Sequence, residues 1–351
     1  MKFIHIADVH LGARPEAGRL LGQRRTKEIW NALEMIIRKC KEEQIDLLLI
    51  AGDLFHRQPL LRELKEVNYL FSTIPDTKIV LVAGNHDYMK KDSYYRTFVW
   101  ADNVQMIRTG LVSCVEIPSL KTAVYGLSYV TREIPDARYD IVTPQHKQKY
   151  EILLAHGGDE KHIPIHKQKL LQSGFDYIAL GHIHKPQVLK ENLAYYAGAL
   201  EPVDKNDIGP HGYVQGEITN KGCKARFIPC AVREYIHMDV QVNKKMTGYE
   251  LMEKVREQMQ ERGAQNIYKI TLTGFRDPQM QYNHESIENC GNIVELIDAT
   301  KPAYDFEKLR LQNADNILGA YIESLREYDE DSIEYLALCA GVQALMETRR
   351  G

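Results

Sequence analysis

Short apolar runs recur along the first two-thirds of the chain, and each stops at polar chemistry. Phe3–Ala7 ends in Asp8-Val9-His10, and Leu47–Ala51 ends in Gly52-Asp53. Ile79–Ala83 ends in Gly84-Asn85-His86-Asp87, Ile152–Ala155 in His156-Gly157, and Tyr177–Leu180 in Gly181-His182-Ile183-His184. Predominantly apolar runs of this length suit parallel strands buried on both faces. The segments between the first three have a different period. Ile29, Leu33, Ile36, Ile37 and Cys40 recur at helical spacing and predict a helix over Thr26–Gln44. Leu64, Val67 and Phe71 do the same over Leu60–Phe71. Strand, helix and strand in this order make βαβ units.

Further on, the pattern alternates. Val104–Ile107, Leu111–Ile117 and Ala123–Leu127 read as short strands within 104–143, forming a second sheet layer or hairpins. Residues 144–150 read as a polar linker, Lys167–Ser173 as a short helix, and Tyr195–Ala199 and Gly212–Ile218 as closing strands. The character changes near Arg233. Strands at Tyr235–Val242, Ile267–Thr273 and Ile293–Leu296 with a helix over Tyr249–Arg262 suggest a small α+β domain. After Lys301-Pro302, two helices are expected, Phe306–Tyr328 and Ser332–Arg349, split by Asp329-Glu330-Asp331. Their apolar stripes either dock a partner or pack back on their own domain. The expected fold class is α/β, a two-sheet sandwich flanked by helices. The expected domains are 1–232, a small α+β domain over 233–300, and a helical tail over 301–351.

Composition narrows the function classes. The 351 residues are 44% hydrophobic and 26% charged, ordinary for a globular chain. The net charge of −3 gives no strong field for polyanions, but it is uneven. Residues 1–215 carry 28 Lys and Arg against 26 Asp and Glu, and the remainder 17 against 22. Eleven of the 13 His lie in the first stretch. The six Cys form no Cys-x-x-Cys and read as reduced, mostly buried thiols of a cytoplasmic protein. The apolar run after Lys2 is too short for a signal peptide, and no run approaches the roughly 20 apolar residues of a membrane span.

Candidate chemistry sits at the strand ends, where open α/β sheets bind ligands. Gly84-Asn85-His86-Asp87 alone could be a turn capping a helix. Five strand ends carrying Asp, His or Asn point instead to one metal site. Asp8 and His10, two residues apart, face one way, and a carboxylate with an imidazole suits a first-row dication. Asp53 can bridge two metals through its two oxygens, His56 follows in the same loop, and His182 and His184 can reach different metals. His5 lies inside its strand and reads as a hydrogen-bonded core histidine. Arg14, Arg19, Arg24 and Arg25 read as a solvated loop by default. Arg57 and Arg62 could meet a phosphate or simply sit on the surface. Lys90, Lys91 and Arg96, interleaved with Tyr88, Tyr94 and Tyr95, are either a nucleic-acid patch or a polar loop.

Asp-x-His, Gly-Asp, Gly-Asn-His-Asp, His-Gly and Gly-His-x-His, in this order, resemble the calcineurin-like metallophosphoesterases over about residues 1–215. Ala7-Asp8-Val9-His10-Leu11-Gly12, Gly52-Asp53-Leu54-Phe55-His56 and Gly181-His182-Ile183-His184-Lys185-Pro186-Gln187 are similar to the SbcD and YhaO branch of DNA repair exonucleases. The resemblance implies a metallophosphoesterase sandwich followed by a capping domain. It implies one cation on Asp8, His10, Asp53 and His184, and a second on Asp53, Asn85, His156 and His182, both manganese in most relatives. It implies a catalytic His86 over the scissile phosphate, a substrate-side His56, and an Asp87 that orients its neighbours. Arg57, Lys90 and Lys91 become candidate DNA contacts. The implied activity is DNA exonuclease, the implied partner an SbcC-like coiled-coil ABC-type ATPase on the helical tail, and the implied assembly a homodimer with no membrane. Two alternatives share the same core: a phosphodiesterase or phosphatase for small nucleotides or phosphoproteins, and a non-catalytic scaffold.

Overall fold

The computed structural model describes every residue except 18–19, 326–328, 330–331 and 349–351. It divides into two compact units, Met1–Tyr235 and Ile236–Gly351.

The first unit is a sandwich of two six-stranded sheets. Its strands are β1 (Lys2–Ile6), β2 (Leu47–Ala51), β3 (Lys78–Val82), β4 (Val104–Met106), β5 (Ser113–Ile117), β6 (Thr122–Gly126), β7 (Tyr150–His156), β8 (Tyr177–Gly181), β9 (Gln187–Lys190), β10 (Ala194–Tyr196), β11 (Gly212–Thr219) and β12 (Gly222–Pro229). One sheet runs β12-β11-β1-β2-β3-β4 and the other β5-β6-β7-β8-β10-β9. In the first, β1 to β4 are mutually parallel. In the second, β6, β7, β8 and β10 are. The antiparallel β11–β12 hairpin and strands β5 and β9 close the edges.

Period-two alternation builds the layers. Leu47, Leu49 and Ala51 face Ile152, Leu154 and Ala179 between the sheets. Leu48 and Ile50 face outward against two helices, α1 (Leu20–Glu42) and α2 (Leu61–Ser72). Leu153, Ala155, Ile178 and Leu180 pack under the outer face of the second sheet. His5 is fully buried between the sheets, its Nδ1 3.0 Å from the Tyr177 hydroxyl, and burial holds it down at about 3, so it is a neutral core group.

Three elements depart from the sequence pattern. Helix α1 begins at Leu20, ahead of Thr26, because Leu21 and Arg25 lie on its buried face. Arg25 is therefore no loop cation. It is fully buried, donating to Glu28 at 2.5 Å, Glu201 at 3.0 Å and the Pro202 carbonyl at 2.7 Å. Arg19 lies outside the described residues. Val104–Met106, expected in a second sheet layer, instead pairs parallel with β3 at the edge of the first sheet, where Val104 joins the helix-side core, and Arg138–Ile141 within 104–143 is a 3₁₀ turn.

The second unit carries a sheet of β13 (Tyr235–Val242), β14 (Ile267–Arg276), β15 (Ile293–Asp298) and the short β16 (Lys301–Pro302). Its helices α4 (Gly248–Arg262) and α5 (His284–Glu288) follow α3 (Lys167–Leu171) of the first unit. Leu251, Val255 and Met259 of α4 pack on Val240, Ile270 and Leu272. The single helix expected over Phe306–Tyr328 is broken into α6 (Phe306–Gln312) and α7 (Ile317–Ser324). Asn316 ends the break by accepting from the Leu318 and Gly319 amides, an N-cap that competes with continued helix. Residues 326–328 of that expected helix, the Glu330-Asp331 pair and Arg349 lie outside the described residues. The apolar stripes meet each other: Leu318 and Ile322 of α7 pack on Leu338 and Val342 of α8 (Ile333–Glu347).

Candidate metal centre

The five strand ends converge because small residues let the sheets close at that end. A Cβ on Gly181 would lie 2.0 Å from the Ala51 carbonyl oxygen and 2.9 Å from the Ala7 Cβ. A Cβ on Gly52 would lie 2.4 Å from His156 Nδ1, and one on Gly84 would lie 2.2 Å from Asp53 Oδ1. Glycine is thus required for contact between loops. The polar residues that follow adopt conformations that L side chains avoid. Asp8, His10, Asp53 and His182 have φ of 50°, 53°, 49° and 96°. Such strain costs about 1–3 kcal/mol per residue and collects where geometry serves function.

Asp53 sits at the centre. Its Oδ1 accepts from the His86 amide at 2.9 Å. Its Oδ2 lies 4.0 Å from His10 Nε2 and 3.4 Å from His156 Nε2. One oxygen, rather than one per side, therefore faces both flanks. On the first flank, His10 Nε2 and His184 Nε2 approach to 2.9 Å, with Asp8 beside them. On the second, His156 Nε2 and His182 Nδ1 converge on Asn85 Oδ1 at 2.8 and 3.1 Å. Asp8 joins the flanks, since both its oxygens accept from the His182 amide at 3.2 and 2.9 Å.

His56 and His86 stack over the first flank with ring centres 5.1 Å apart, and each lies near His10. The His86 Nδ1 is 3.0 Å from the His56 carbonyl, which leaves Nε2 as its outward nitrogen. Asp87 points away, accepting from the Gly84 and Phe55 amides and the Tyr95 hydroxyl at 2.8, 3.2 and 2.8 Å. It orders the motif and takes no place among the converging donors.

The charges explain what the cluster is fitted for. Burial raises Asp8 to about 6, against the pull of His156 and His184. Burial also opposes charge on Asp53, but His156 and His10 outweigh it and hold this carboxylate well down. Burial pulls His156 and His184 down as well. The neighbouring Asp53 and Asp8 outweigh it for His156, and Asp207, Asp8 and Asp53 for His184, leaving each at about 9. His10 is driven down by burial, and His182 falls to about 4 through burial and His156. Two buried carboxylates are thus balanced by protonated imidazoles. Dications bound by these oxygens and nitrogens would replace those protons, and this donor set suits first-row metals. The residues present fit such a centre.

Two carboxylates in the cluster carry no motif signal. Asp159 Oδ2 lies 2.7 Å from His182 Nε2, and Asp207 lies 3.1 Å from His184 Nδ1. Only an acidic residue soon after a strand-end histidine hints at Asp159, and nothing local marks Asp207. The basic candidates are partly engaged. Arg57 is bidentate to Glu63 at 2.7 and 3.0 Å, and Lys90 is 3.2 Å from Asp92. Arg96 binds the Lys90 and Met89 carbonyls and Tyr95 is buried, so both serve the loop itself, while Lys91 and Tyr94 are exposed.

The family model "Calcineurin-like phosphoesterase" matches residues 1–186. The chain is 26% identical over 309 residues to the uncharacterized metallophosphoesterase YhaO of Bacillus subtilis, covering 78% of this chain and 72% of that protein. It is 29% identical over 237 residues to the DNA double-strand break repair protein Mre11 of Aeropyrum pernix, covering 60% and 56%. It is 26% identical over 218 residues to the protein of the same name in Methanocaldococcus jannaschii, covering 59% and 58%. The matches thus span less than two-thirds of either archaeal relative.

Proposed function

The chain belongs to the calcineurin-like phosphoesterases, which use divalent metal ions to hydrolyse phosphoesters, and we propose that it is a two-metal DNA exonuclease of repair. One cation would be held by Asp8, His10, Asp53 and His184. The other would be held by Asp53, Asn85, His156 and His182. The observation that supports this most is Asp53 Oδ2 between His10 and His156, with separate nitrogen pairs on either side. Manganese suits the mixed oxygen and nitrogen donors.

When bound, the cations supply an acidified water and draw charge from the phosphoryl oxygens. The remaining steps use the chain's own groups. The His56 carbonyl accepts from His86 Nδ1, which turns Nε2 outward, so that the doubly protonated ring can hand its Nε2 proton to the departing oxygen and return to neutral. Burial and His86 lower His56, so it meets the substrate neutral, as a hydrogen-bonding ring. Asp87 and Tyr95 keep the Gly84–Asp87 turn rigid beneath His86.

DNA is favoured over a small ester by Lys91 and Tyr94, exposed on the loop that follows this turn, and by the archaeal relatives' role in double-strand break repair. Residues 233–300 would cap the nuclease. The tail would dock an SbcC-like coiled-coil ATPase, for which Ile317, Ile333 and Leu336 offer exposed apolar contacts. A homodimer in the cytoplasm completes the reading.

Manganese-dependent degradation of end-labelled linear duplex DNA tests it, with His86→Ala as control. Short products from wild type and none from the variant are expected. Intact DNA with brisk hydrolysis of a small phosphodiester would move the substrate to small nucleotides.

A further inference from the structure

His182 and His184 belong to one Gly-His-Ile-His turn, yet they offer opposite ring nitrogens to the centre. His182 presents Nδ1 towards Asn85, and His184 presents Nε2 towards His10. In each case the other nitrogen meets a carboxylate from a distant loop. Asp159, after β7, takes His182 Nε2 at 2.7 Å. Asp207, after β10, takes His184 Nδ1 at 3.1 Å. A carboxylate only accepts, so the nitrogen facing it keeps its proton, and when the ring becomes neutral the nitrogen facing the centre is the one left bare. An imidazole must present a bare nitrogen to bind a metal.

The two carboxylates are themselves fixed. Asp207 Oδ2 accepts from the Val203 and Asp204 amides at 2.9 and 3.0 Å. Asp159 Oδ1 accepts from the Lys161 and His162 amides at 2.8 and 2.9 Å, and its two oxygens meet the His162 ring at 2.9 Å. They differ in burial: the Asp207 side chain is 12% exposed and that of Asp159 is 47% exposed.

We propose that Asp159 and Asp207 are positioning residues that set the tautomers of His182 and His184, Nδ1 bare in the first and Nε2 bare in the second. The proposal rests on the ligand sets given above. Outer partners of ligating histidines typically contribute about 10- to 100-fold in metal affinity. Water can replace the exposed Asp159, whereas Asp207 is mostly buried and its loss leaves the His184 N–H without its acceptor. The Asp207 flank therefore depends more on its carboxylate than the Asp159 flank does.

The test uses the full chain without metal, with ¹⁵N-labelled histidine, at a pH above the value of about 9 at which His184 becomes neutral, and reads the tautomers of both rings by NMR. Resonances are identified by their loss in His182→Asn and His184→Asn. Manganese titration follows on the same proteins. Wild type is expected to show opposite tautomers. Asp159→Ala and Asp207→Ala should lose the preference at His182 and His184 respectively. Manganese affinity on the matching flank should fall about tenfold for Asp159→Ala and nearer 100-fold for Asp207→Ala. Asp159→Asn, which keeps an acceptor oxygen, should restore most of the His182 preference. Wild-type tautomers and affinity in both alanine variants would overturn the proposal. A third manganese lost in His162→Asn would overturn it too, by making Asp159 a ligand. If His182→Asn itself leaves manganese binding unchanged, the ligand sets have failed instead.

Discussion

The two flanks of Asp53 use the same donor types and differ in what surrounds them. Beside His10 and His184 stand the rings of His56 and His86, with the Asp207 carboxylate tucked behind. Beside His156 and His182 stands the half-exposed carboxylate of Asp159 with His162. On the proposed function an anionic phosphodiester would be received by the flank that offers rings and repelled by the one that exposes the Asp159 carboxylate. In the proposed two-metal centre, matching donors would let both flanks take a cation, while the neighbours would decide which one faces the leaving group.

Changes at the centre should break this comparison most strongly. Asp53→Asn removes charge from both flanks at once, so turnover should fall about 1,000-fold or more, with both manganese sites weakened in calorimetry. His86→Ala acts on one flank and on chemistry alone. Steady-state assays should show a loss of about 100- to 10,000-fold while calorimetry still counts two cations. Asn85→Ala strips the other flank only. One manganese should weaken about tenfold or more and the other stay, which a two-site titration resolves.

pH acts on both flanks together. His156 and His184 each hold a proton up to about 9 and must shed it to bind metal. Affinity should therefore rise with pH up to about 9, by about tenfold per unit on each flank, and level off above it. Titration at several pH values checks the slope, and a flat profile between 7 and 9 would refute the protonated imidazoles.

Much of this arrangement is legible in the sequence, for a definite reason. Buried parallel strands write themselves as apolar runs, and Asp8, Asp53, Asn85, His156 and His182 follow those runs directly. Their meeting at one end then follows from strand direction. What stays hidden depends on contacts far apart in the chain. Asp207 reaches His184 from another loop, and Arg25 looks like a loop cation until Glu201 folds onto it. The capping by Asn316 is local, but the apolar stripe running through it argues for a continuous helix until α7 and α8 pack on each other. The strand β12 is hard to see because it is an edge strand with polar residues on its open face.

Anomalous diffraction from manganese-soaked crystals of wild type and Asp53→Asn reads the shared carboxylate most directly. Two peaks on either side of Asp53 in wild type, with at least one lost in the variant, are expected. A single peak in wild type, or two undiminished peaks in Asp53→Asn, would contradict a centre built around that one carboxylate.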